Sequence, residues 1–184
     1  MLVEYGTGRR IQDPKGKDIP GEKRVRFSVA STDTWNLFRK LALGHEGRTS
    51  WMYLDHEGNV AVGLGHLLPH VEAAVALRFF GRGTLTPASK AHITDAYRRV
   101  KSDQGLRGSG ADAFKNVTHI DLLESNIDAL FAQDAAEFID ELCRLFPSYG
   151  SFPESAQITS LDRIYNLGNT RFLKYVKLIA AVKF

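Results

Sequence analysis

GHEGRTSWMYLDHEGNVAVGLGH, residues 44–66, decides how the rest of the chain is read. WMYL (51–54) and NVAVGL (59–64) are rich in β-formers, and DHEGN between them is turn chemistry, with Gly58 suited to positive φ. The pattern predicts a β-hairpin. Upstream, Ser31, Thr32 and Asp33 form an N-cap signal. Trp35, Phe38, Leu41 and Ala42 follow at helical spacing. That helix, over 34–47, is expected to end in the Gly44–Gly47 region, with Glu46 at or just past its C-terminus.

Two carboxylates therefore bracket the passage from helix to hairpin. The negative pole of a helix disfavours an ionised Glu at its C-terminal end, which suits a proton donor. Asp55 opens the hairpin turn, a place where Asp commonly serves turn hydrogen bonds. The pair carries more than either residue alone. A helix end followed by a hairpin folds back, so both carboxyls can line one groove. Glycoside hydrolysis needs that arrangement: one carboxyl protonates the leaving oxygen and the other supports attack at the sugar carbon.

Working outward, HVEAAVALRFF (70–80) reads as a helix, and LTPASKAHITDAYRRV (85–100) as another with Pro87 in its first turn. KSDQGLRGSGAD (101–112) reads as a flexible loop. Residues 119–146 form one long periodic stretch carrying Leu122, Ile127, Leu130, Phe131, Phe138 and Leu142, stopped by Pro147. A helix over 153–168 ends at Gly168, and TRFLKYVKLIAAVKF (170–184) begins one more. The architecture expected is a small β-hairpin subdomain beside a mainly helical one. Residues 1–31 read as a basic extended arm or linker. Between Arg9 and Arg26 the chain carries seven Lys or Arg against three acids, a local charge of +4 within a total of +3. Such an arm would be attracted to an anionic polymer.

With 184 residues and 43% hydrophobic content, the chain can bury a core as one domain. Cys143 is the sole cysteine, so no intrachain disulfide forms. MLVEYGTGRR lacks the apolar stretch of a secretory leader, and no apolar run approaches membrane-spanning length. The expectation is synthesis in the cytoplasm without membrane insertion.

The 44–66 stretch resembles the active-site hairpin of phage-type lysozymes, the muramidases typified by the enzyme of T-even bacteriophages. Their pattern is Glu-Gly, eight residues, Asp, five residues, Thr, then Gly-x-Gly-His. This chain has Glu46-Gly47, Asp55, Ala61 and Gly63-Leu64-Gly65-His66, and departs from the pattern only at Ala61. LFAQD (130–134) and IYNLG (164–168) resemble two further family segments in the same order. The resemblance implies an α+β lysozyme-like fold over 32–184, with an insertion between His66 and Phe131 and without the family's last C-terminal helices. It places the cleft between the β-hairpin and helical subdomains. Glu46 would be the general acid. Asp55 would position the attacking water or stabilise positive charge on the sugar. His66 and Asp134 would form a structural ion pair, and Leu67, Tyr165, Asn166 and Tyr175 would contact the saccharide.

The implied activity is hydrolysis of the β-1,4 bond between N-acetylmuramic acid and N-acetylglucosamine in peptidoglycan. No metal or cofactor is implied, because an acid and a bound water suffice. Two departures weigh against full activity. Ala61 cannot hydrogen-bond a water as the family threonine does, although Asn59, two residues back on the strand, points to the same face and is a candidate substitute. His45 also stands before Glu46 where a carboxylate is familiar. The alternative is a lysozyme-like wall-binding module of weak or no activity. A metal site at His66 and His70 is disfavoured by Pro69 between them and by the lack of HExxH. No helix carries the basic and aromatic pattern of a nucleic-acid module. Delivery to the periplasmic wall would come through phage lysis, as an endolysin, or through secretion as an antibacterial toxin with an immunity protein as partner. The insertion and basic arm favour an effector domain of a longer protein.

Overall fold

The computed structural model describes residues 32–175. The basic arm at 1–31 and the end of the apolar stretch at 176–184 lie outside the described residues. The chain is mixed α+β and divides into two compact units. One comprises 40–134; the other joins the described residues up to Arg39 with those from Ala135 onward.

Helix α1 (Thr32–Glu46) ends at Glu46, and Gly47 breaks it with φ 70°. Strand β1 (Thr49–Leu54) then pairs antiparallel with β2 (Val60–Gly63), aligning Leu54 with Val60 and Tyr53 with Ala61. The hairpin extends into a third strand, β3 (His66–Leu68), which aligns Leu67 with Ala61 and His66 with Val62. All four β2 residues are buried, because β2 is the central strand and a later helix, Lys90–Ser102, packs on the sheet.

Beyond the sheet the element order differs from the helical reading in two places. The stretch 70–80 divides into a short helix α2 (Val71–Ala76) and a strand β4 (Phe79–Gly81). Likewise 119–146 begins as strand β5 (Ile120–Leu122) before helix α4 (Glu124–Leu145) starts. β4 and β5 pair with each other, Phe79 opposite Leu122 and Gly81 opposite Ile120. Helix α3 (Lys90–Ser102) starts later than expected: Ser89 is its N-cap, accepting from the His92 amide at 3.2 Å, while Pro87 bridges Phe80 ahead of the helix. The loop at 101–112 is not featureless; it holds 3-10 turns at Gln104–Leu106 and Ala111–Phe114.

Met52, Val60, Val62, Leu68, Phe79, Val100, Phe114 and Ile127 form the core of this unit. Polar links reinforce it. The Trp51 indole N–H donates to the Ala111 carbonyl at 2.8 Å, and Arg82 pairs with Asp121 at 2.8 Å. Ser50 donates to the same Asp121 carboxylate at 3.1 Å, tying β1 to β5.

The other unit is helical, with α4 continuing into it and helix α5 (Glu154–Phe172) following. Its described core mixes aliphatic and aromatic side chains, among them Phe38, Leu142, Tyr149, Leu161 and Ile164; Tyr165 meets Phe38 and Phe138 edge-on at 5.5 and 5.7 Å, and Tyr149 meets Phe152 at 5.6 Å. The expected stop at Gly168 is present: its backbone is non-helical and separates two helical stretches within Glu154–Phe172. Gly168 has φ 68° and ψ 161°, and the second stretch, begun as expected after it, runs to Phe172. Among the described residues no helix is long and apolar enough to cross a membrane.

Candidate active site

Asp55 occupies the turn between β1 and β2, half-buried, and three hydrogen bonds hold its carboxylate there. Oδ1 accepts from the backbone N–H of Glu57 and of Asn59, both at 2.8 Å, and Oδ2 accepts from Asn59 Nδ2 at 3.0 Å. This is Asx-turn geometry, in which the side chain replaces backbone partners and fixes the turn. The turn closes further through Gly58 N–H to the Asp55 carbonyl, and Gly58 takes φ 82°. Asp55 is thus immobilised rather than free to swing. Asn59, expected as a candidate water ligand, spends its amide on orienting Asp55.

Glu46 is the last residue of α1, nine positions before Asp55 and in the same compact unit. Its side chain, like that of His45, lies outside the described residues. The backbone leaving it is anchored by Arg48, two residues on. That guanidinium binds Glu124 Oε2 at 2.6 Å, the Glu124 carbonyl at 3.0 Å and Asp128 Oδ1 at 2.9 Å. The hydrogen bond to Asp128 raises the Arg48 pKa further above its ordinary value, with Glu124 adding to it. Arg48 therefore pins the α1–β1 passage to the start of α4, a role the sequence pattern did not single out.

Ala61 is buried at 1% exposure. Residues directly opposite across antiparallel strands share a face, so Tyr53, Ala61 and Leu67 form one row. Leu67 ends that row at 52% exposure, an apolar side chain open to solvent. His66 Nδ1 lies 2.9 Å from both Asp134 oxygens, linking β3 to α4 within the sheet-bearing unit.

The remaining expected saccharide contacts belong to the helical unit. Tyr165 is half-buried in the Phe38 and Phe138 cluster. Asn166 is exposed and donates to Asp162, at 2.8 Å to the carbonyl and 3.1 Å to Oδ1. Tyr175 is 48% exposed at the end of the described residues. The structure thus groups Asp55, Asn59, Ala61, Leu67, His66 and Asp134 in one unit, and Tyr165, Asn166 and Tyr175 in the other. Among the described residues no group of three or more His, Cys, Asp or Glu is arranged to hold a metal.

Compared with known proteins, the chain matches no family model and no curated protein.

Proposed function

We propose that the chain has a lysozyme-like fold and acts as a peptidoglycan muramidase, hydrolysing the β-1,4 bond between N-acetylmuramic acid and N-acetylglucosamine. The observation that carries this reading is the succession of a helix closing on Glu46 and an antiparallel turn that locks Asp55 with three hydrogen bonds. In the reaction Glu46 donates its proton to the glycosidic oxygen as the C1–O bond breaks. Asp55 orients the water that attacks C1 and takes the proton it releases, or stabilises the positive charge developing there while that proton returns to Glu46. Leu67 offers an exposed apolar surface in the same strand row as position 61, suited to the face of a sugar ring. Tyr165, Asn166 and Tyr175 are the further saccharide contacts of this reading, and the His66–Asp134 pair is structural. The substrate is the glycan strand of the bacterial wall. The protein would reach it through phage lysis or a secretion system, with an immunity protein as partner in the second case.

Muropeptide analysis tests the reading. Wild type should release new reducing ends from purified peptidoglycan, and Glu46→Gln should lower the rate by about a hundredfold or more, the usual range for losing a general acid. Ala61 favours a second reading, a wall-binding module without activity, because no hydroxyl stands at that position to hold a water. That reading predicts binding that survives Glu46→Gln and no cleavage by the parent.

A further inference from the structure

The Asp55 turn is held from outside as well as from within. Two long cations from the α3–loop segment reach its backbone. Lys101 Nζ donates to the Gly58 carbonyl at 2.7 Å, and Arg107 Nε donates to the His56 carbonyl at 2.9 Å. These carbonyls lie on either side of Glu57, whose N–H is one of the donors to Asp55. Gln104, between the two cations in sequence, sits so close that a Cβ placed on Gly58 would fall 3.2 Å from its Oε1. The 101–107 segment is itself shaped to deliver these contacts. Asp103 ends α3 and the Gln104–Leu106 turn follows, with Gln104 Nε2 donating back to the Lys101 carbonyl at 2.8 Å.

Resting on the muramidase reading, we propose that Lys101 and Arg107 are positioning residues: a brace that fixes the Asp55 turn, and through it the carboxylate, in its working geometry. Neither touches substrate. Both act through carbonyls one and three residues from Asp55. Bonds from charged donors to backbone carbonyls are stronger than neutral ones, though exposure to solvent weakens them, so the two together matter more than either alone. Because Asp55 works in the transition state, a displaced turn lowers kcat and leaves KM for the glycan largely unchanged.

The test compares wild type, Lys101→Met, the double variant Lys101→Met/Arg107→Met, and Lys101→Arg, on a soluble uncrosslinked glycan oligomer and by amide exchange. Arg99→Gln is the control. It removes a cation from the same last turn of α3, but one paired with Asp95 on its own helix. The double variant should lose about tenfold in kcat at constant KM, with Lys101→Arg near wild type and Arg99→Gln unchanged. The Glu57 and Asn59 amides, which read the closed turn directly, should exchange about tenfold faster in the double variant. Unchanged exchange at those amides overturns the brace whatever the activity. Faster exchange with undiminished kcat overturns its catalytic role. A wild type that cleaves nothing sinks the muramidase reading, while exchange alone still decides whether the brace holds the turn.

Discussion

Under the proposed function, a hydroxyl at position 61 is the smallest change that would separate an enzyme from a binding module. Ala61 is buried, faces the same side as Leu67, and has no group that could hold a water. Ala61→Thr should raise the rate of reducing-end release, whereas Ala61→Val, which has the same shape without the oxygen, should not. Equal behaviour of the two variants in that assay would show that bulk rather than hydrogen bonding governs the position. Three residues earlier, Gly58 is held at φ 82° with Gln104 close by. Gly58→Ala should cost about 1–2 kcal/mol, since any Cβ there meets both the left-handed penalty and a neighbour. A urea midpoint unchanged from wild type would contradict that account. Asp55 itself was legible in the sequence, because an Asx turn is a local device: DHEGN holds both the acceptor and the two amides it collects. Lys101 and Arg107 were not, because their partners lie 43 and 51 positions away. Nothing in KSDQGLRGSGAD marks which cations will find a carbonyl.

Where elements begin follows the same division between local and distant causes. The helix ending at Glu46 and the 51–64 hairpin are set by capping, spacing and turn residues within a few positions, and they form as expected. β3, β4 and β5 each span three residues, too short for periodicity to register. Phe79 and Phe80 continue an apolar run that reads as helix, yet they become strand because Leu122 and Asp121 pair with them across some forty residues. The same pairing removes Ile120–Leu122 from the long helix that follows. Pro87 illustrates a signal with two uses. It suits a helix first turn, but here it pairs with Phe80, and the start of α3 passes to Ser89. If the Ser89 hydroxyl is the working cap, Ser89→Ala should lower stability by about 1 kcal/mol, while Ser89→Asp should not. Chemical denaturation of the two variants separates cap loss from a general intolerance of substitution at that position.

At the scale of the whole molecule, two compact units each carry their own core, and global stability draws on buried polar anchors as well as apolar packing. Tyr149 is the clearest of these. It is 2% exposed, packs edge-on against Phe152, and donates its hydroxyl to the Gln157 carbonyl at 2.8 Å. Burial, and secondarily the charge of nearby Cys143, push its pKa well above the ordinary 10.0. The consequence for stability has a definite sign. Above about pH 10 the phenol ionises in the unfolded chain but stays protonated in the native one. The native state then holds one more proton than the unfolded state, so rising pH favours unfolding. The contribution of Tyr149 is complete below that pH and drains away above it, by up to about 1.4 kcal/mol per pH unit. Tyr149→Phe removes both effects. Near neutrality the variant should be about 1–2 kcal/mol less stable, because the Gln157 carbonyl loses its partner in a buried site. From pH 10 upward the gap between the two proteins should close, since only wild type loses the Tyr149 contribution. Urea midpoints for both across pH 8 to about 11.5 measure this, and two curves running parallel through that window would show that the native Tyr149 ionises as readily as the unfolded one.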